Sequence, residues 1–247
     1  RSHLTALQTP FLERSVEAAA SAIMTTDTHP KVASAAAGPA TVVGFAKGVG
    51  MIEPDMATMI AVIATDADIS TDHLNQIFRR VVDRTFNALS IDTDTSTSDM
   101  AIVLASGVAG PVDGIQFEAA LSEVCLDLTR QLAADGEGAE TLIVVNVASA
   151  RDDDQAQRVA KAIINSPLVK TAVHGRDPNW GRVAMAIGKC HDDTDIDQQA
   201  VTIRFGHQEV YPTPATAEAL LELEAYLAKA EVHIGVDLGL ADGTFTA

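Results

Sequence analysis

The stretch KGVGMIEPDMATMIAVIATDA at residues 47–67 sets a glycine-punctuated, mixed-polarity turn against an almost wholly apolar run, with Thr58 at the join. A threonine hydroxyl is a weak nucleophile, and no neighbouring His is offered as its base. Taken alone, a β-branched residue at the head of such a run reads as a strand residue. A threonine has a proton acceptor of its own only as the first residue of a chain, where an α-amine with a pKa of about 7.7–8.0 can take its hydroxyl proton near neutral pH.

Four further polar segments are too elaborate to be mere connections. Lys47-Gly48-Val49-Gly50 combines glycines with a cation, as a phosphate-binding turn does. It matches neither GxxxxGK[ST] nor GxGxxG, and it joins strand to strand, so it reads as a structural turn. SIDTDTSTSD at 90–99 interleaves Asp92, Asp94 and Asp99 with hydroxyls. It lacks the glycine and glutamate of an EF-hand loop, and self-bonded Asx and Ser/Thr turns suffice to explain it. HGRDPNWGR at 174–182 gathers the single Trp with two Arg. There Asp177 is a good N-cap and Pro178 a good first helical residue, and the N-terminus so formed could hold an anion. Asp135-Gly136-Glu137-Gly138 is either a glycine C-cap or a carboxylate presented between two glycines, and the pattern favours the cap. No GxSxG elbow, HExxH or Cys-His-Asn arrangement competes with these segments.

The elements that must position them alternate along the whole chain. Leu12, Val16, Ala19, Ala20 and Ile23 mark one face of a first helix, closed by the polar cluster at 25–30. Strands are expected at 40–46 and 57–64, the second apolar on both faces and therefore buried. Thr71 is expected to cap a helix with the stripe Leu74, Ile77, Phe78, Val81, Val82, Thr85 and Leu89. Further strands fall at 100–106, 140–149, 201–206 and 231–238, with helices at 115–134, 153–165 and 214–230. No repeat or linker breaks the rhythm, so the pattern describes one α/β unit. Periodicity leaves open whether its strands form one sheet or two.

Composition excludes several function classes. Among the 247 residues, 17 Lys and Arg face 34 Asp and Glu, a net charge of −17, with only 4% aromatic residues. Such a chain lacks the cationic footprint and stacking platforms of nucleic-acid binding, and an anionic membrane surface would repel it. Its apolar runs are too short and interrupted to span a bilayer. Cys125 and Cys190 are distant and in no CxxC pair, and no two His form HxxxH. These features point to a reducing, cytoplasmic setting without a metal framework. The chain opens on Arg1 without a Met or a signal-type apolar segment, as a piece of a longer product would.

Six blocks in order resemble the ornithine acetyltransferase (glutamate N-acetyltransferase) family: IMTTDTHPK at 23–31, AKGVGMIEPDMATM at 46–59, NALSIDTDTSTSD at 87–99, DGEGA at 135–139, NSPLVKTAVHGRDPNWGRVAMAIGK at 165–189 and GVDLGLADGTFTA at 235–247. The resemblance covers essentially the whole chain. It implies an α/β fold of the αββα layered type and a precursor that cuts itself between Ala57 and Thr58. Residues 1–57 would then be the C-terminal part of an α chain and residues 58–247 a β chain, assembling into α/β heterotetramers or larger oligomers. It further implies that Thr58 takes the acetyl group of N-acetylornithine and passes it to glutamate by a ping-pong route, without metal or organic cofactor. Thr25, Lys47 and Glu137, with Thr58, match substrate-contacting positions; by charge, Lys47 suits a carboxylate and Glu137 an ammonium. The DPNWGR and DTDTSTSD blocks are assigned to support of the site. The family's Thr-Gly oxyanion pair would lie before Arg1, and its substrate-binding tail after Ala247. Two other readings stand beside this one: a self-processed aminopeptidase or amidase, in which water replaces the amine acceptor, and a non-catalytic, unprocessed relative.

Overall fold

The computed structural model describes residues 15–50, 52, 59–94 and 98–247. Its strands form two sheets. The first has the order β1 (Lys31–Ala37), β2 (Ala40–Lys47), β3 (Ile60–Asp68) and β4 (Met100–Pro111). β1, β2 and β3 run antiparallel, whereas β3 and β4 are parallel. A parallel pair needs a crossover, and the helix α2 (Thr71–Arg84) supplies most of it. Ser70 caps that helix, accepting a hydrogen bond from the His73 N–H; Thr71 is its first residue rather than its cap.

The inward faces of β2 and β3 follow the two-residue pleat. Ala40, Val42, Gly44 and Ala46 are buried on β2, and Ala61, Ile63, Thr65 and Ala67 on β3. The long helix α3 (Gly114–Ala134) lies on this face and seals it with Leu121, Val124, Leu128 and Leu132. Gly44 permits the close approach: a Cβ there would stand 2.9 Å from Leu128 Cδ1 and 3.0 Å from Val124 Cγ1. The expectation that this apolar strand is buried on both faces is corrected, since Ala64 on its other face is exposed. A short helix α1 (Val16–Ile23) packs over β1 and β2.

The second sheet has the order β7 (Gln208–Tyr211), β6 (Thr202–Phe205), β8 (Glu231–Asp237), β5 (Leu142–Ala150) and β9 (Gly243–Thr246). Its core partners are α4 (Asp153–Ile164), α5 (Pro167–His174), α6 (Trp180–Ile187) and α7 (Ala217–Leu227). β9 runs so close to the start of α4 that a Cβ on Gly243 would fall 2.4 Å from the backbone of Asp152. Each sheet therefore has its own apolar core, a layered α/β architecture. Lysines stitch the layers together: Lys161 Nζ donates to the Leu89 carbonyl at 2.9 Å, and Lys170 Nζ to that of Ile91.

Candidate active site

β1 begins with Lys31, whose side chain is wholly buried. Its ammonium donates to Asp27 Oδ1 at 2.8 Å and to Asp135 Oδ2 at 2.6 Å. A buried charge is tolerable only when paired and hydrogen-bonded, and both carboxylates have further donors. Asp27 accepts from the N–H groups of Gly48 at 2.7 Å and Thr25 at 3.1 Å. Asp135 accepts from the Thr28 N–H at 3.0 Å and from the Thr28 hydroxyl. Burial alone would raise the Asp27 pKa; the Lys31 ammonium and the two amides outweigh it and hold the carboxyl down to about 2. Asp135 is opposed by burial in the same way and is likewise held below the usual range by Lys31 and Thr28. This ion triad joins the loop after α1, the turn after β2 and the end of α3.

The residues it gathers are those expected to meet substrate. Lys47, the last residue of β2, is buried, and its ammonium donates to the Thr25 hydroxyl at 3.3 Å. Glu137 follows Asp135 and Gly136, and its N–H donates to the Val49 carbonyl at 2.6 Å. Its carboxylate faces the glycine turn: a Cβ on Gly50 would lie 3.3 Å from Glu137 Oε2 and 3.6 Å from Asp92 Oδ2. A cleft of about 430 Å³ opens there, lined by Thr26, Thr28, Val49, Asp135, Glu137 and Gly138. The glycine-cap reading of 135–138 is corrected, since Asp135 itself is the C-cap of α3, while Glu137 is exposed between Gly136 and Gly138.

Strand register brings a third loop to the same place. Lys47 is opposite Ile60, and Ile60 opposite Met100, so β2 ends where β3 and β4 begin. Met59 is held from both sides there. Its N–H donates to Asp99 Oδ1 at 2.5 Å, and its carbonyl accepts from the Met100 N–H at 2.9 Å. Ala57 and Thr58 lie outside the described residues. The 90–99 segment is not merely self-bonded: Asp92 accepts from the Asp94 N–H at 3.2 Å and also from that of Ile52 at 3.1 Å. An ammonium beside a hydroxyl, with carboxylates around an open glycine turn, suits a small ligand carrying both charges.

The DPNWGR block has other company. α6 starts at Trp180 with Asn179 as its cap, two residues later than Asp177 and Pro178 had suggested. Trp180 packs on Tyr211 with ring centroids 4.8 Å apart, and Arg182 donates to Leu168 and Thr171 of α5. Sequence reasoning missed the pairing of Lys31 with Asp27 and Asp135, and placed Asp99 in a self-bonded loop without its bond to Met59. A lysine opening the Ala-rich run KVASAAA in an acidic chain was the available signal, but Asp135 is 104 positions away.

A family model described as "ArgJ family" matches residues 2–247. The chain is 59% identical to "Glutamate N-acetyltransferase Oat2" of Streptomyces clavuligerus, across 100% of this chain and 64% of the relative. It is 56% identical to "Arginine biosynthesis bifunctional protein ArgJ" of Rhodococcoides fascians, across 92% of this chain and 57% of the relative. The chain thus spans less than two thirds of the length of these curated relatives. The crystal structure of an arginine biosynthesis bifunctional protein argJ from Bacillus halodurans is similar, with a TM-score of 0.69, 39% identity, and coverage of 74% of this chain and 89% of that one. By the family match over residues 2–247, the high identities and the shared layered fold, the chain belongs to the ArgJ family.

Proposed function

We propose that the chain is the major part of a self-processing acetyltransferase that moves an acetyl group from N-acetylornithine to glutamate, with Thr58 as nucleophile. After the Ala57–Thr58 bond is cut, the Thr58 hydroxyl attacks the acetyl carbonyl and its proton passes to the new α-amine. That proton leaves with ornithine as the acetyl C–N bond breaks, and an acetyl ester remains on Thr58. The amine of glutamate attacks the ester and restores the hydroxyl. Lys47, beside Thr25, receives the substrate carboxylate; Glu137 receives its ammonium. The net charge of −17 adds a weak, salt-screened pull on cationic ornithine.

The observation carrying this reading is the meeting of Thr25, Lys47 and the Glu137 loop at the end of the sheet where β3 starts, one residue after Met59. The names of the relatives, one a glutamate N-acetyltransferase, support it. We infer further that the processed product consists of residues up to 57 and residues from 58, assembled as α/β heterotetramers or larger oligomers in the cytoplasm. The free state of Cys125 and Cys190 agrees with that compartment. Thr58→Ala in the full-length precursor should abolish both splitting, read by intact mass, and transfer, read by product formation from N-acetylornithine and glutamate. Surviving transfer would refute the assignment.

A further inference from the structure

The acetyl transfer proposed above asks one binding site to hold two opposite side chains. N-acetylornithine ends in an ammonium and glutamate in a carboxylate, and both charged groups stand the same number of bonds from the α-carbon. With the α-carboxylate of each at Lys47, both ends reach the same region. There Glu137 attracts the first and repels the second. Accepting glutamate therefore calls for a cation close to Glu137.

Glu137, Gly138 and Ala139 line not only the cleft beside Thr28 but also a second cavity, of about 250 Å³. The walls of that cavity carry Lys170, His174 and Glu140 over an apolar floor that includes Ile143. Lys170 and His174 are four positions apart on α5 and so share one helix face. Lys170 is partly buried, and its ammonium donates to the Ile91 carbonyl, a neutral acceptor that fixes its position. His174 and Glu140 lie 3.5 Å apart with side chains 73% and 74% exposed, so water and salt screen both. The less exposed Lys170 is the charge felt more strongly inside the cavity. Resting on the acetyl-transfer reading, we propose that Lys170 receives the side-chain carboxylate of the acceptor amino acid. Glu137 takes the donor's ammonium on one occasion, and Lys170 takes the acceptor's carboxylate on the next.

The test compares glutamate with glutamine, its neutral analogue of nearly the same shape, as acceptors for the full-length processed enzyme loaded with N-acetylornithine. A charge-assisted hydrogen bond is worth about 10–100-fold. Wild type should therefore prefer glutamate over glutamine in kcat/KM by at least about 10-fold, and Lys170→Met should lose most of that preference. Lys170→Arg, which keeps the cation, should retain most of it. Because both acceptors draw on the same acetylated enzyme, the ratio does not depend on how much of a variant is folded. An unchanged ratio in Lys170→Met overturns the proposal, and so does an equal loss of both acceptors, which would make the lysine structural. A wild type that uses glutamine within about threefold of glutamate overturns it without any variant. Intact mass of wild type incubated with N-acetylornithine alone separates the two readings. If no acetyl group is gained, the acetyl-transfer reading falls and takes Lys170 with it. If one is gained and passed to glutamate while the ratio ignores Lys170, only the role of Lys170 is lost.

Discussion

Replacing Lys31 by Met tests whether the ion triad holds the site together. Met roughly matches the lysine stem in length, so the change removes mainly the ammonium. Two carboxylates then remain, with side chains 0% and 3% exposed, each keeping its amide or hydroxyl donors but no cation. Removing one partner from a buried ion pair costs about 3–5 kcal/mol, against a total stability of about 5–15 kcal/mol for a folded domain. Urea unfolding of the full-length protein at about pH 7 should therefore show a loss near 3–5 kcal/mol.

The pH dependence identifies the cause. In the wild type the Asp27 carboxyl is depressed to about 2 from an ordinary 3.8, so its contribution is present above pH 3.8 and disappears as pH falls through about 2. In Lys31→Met only burial and the neutral donors act with the second carboxylate, and both groups resist ionisation. Their folded pKa values rise above the unfolded ones, so the variant gains stability as pH falls from neutrality. The gap between the two proteins should narrow between about pH 7 and about pH 4, by up to 1.4 kcal/mol per pH unit for each proton bound. His29, half-exposed with Nδ1 3.6 Å from Asp135 Oδ1, is common to both proteins. Adding Asp135→Asn to Lys31→Met should restore part of the loss. A gap that stays constant with pH, or a double variant no better than the single one, would refute the reasoning.

Two further outcomes follow from packing. Gly243→Ala should cost about 1–3 kcal/mol in urea unfolding, because the obstructing atoms are backbone of Asp152, whereas Gly44→Ala should cost less because side-chain tips of Leu128 and Val124 can yield; equal costs would argue against this account of both sites. Burial pushes the Cys125 thiol up to about 12, so its labelling in native protein at about pH 8 should be slower than that of half-buried Cys190 and should accelerate with denaturant. Fast native labelling of both thiols would contradict it.

The local pattern of the chain was enough to mark α2, α3 and α4, because each writes its own 3.6-residue stripe. It was enough for β2 and β8 as well, but not for β1, where KVASAAA carries little strand propensity and is held by pairing with β2. β7 and β9 are four residues each, too short to show a period, and gain their order from β6 and β5. The division into two sheets was equally invisible, since it depends on which strands meet rather than on what each contains. Lys47, Thr25 and Glu137 could be picked out as residue types in recognisable blocks, as could Thr58, which lies outside the described residues. What the blocks could not contain is the way the described groups meet. Lys31 finds Asp135 across 104 positions, and Met59 finds Asp99 across 40, through register and burial. A one-dimensional sequence records the groups able to react or bind; only the folded chain decides which charge neutralises which.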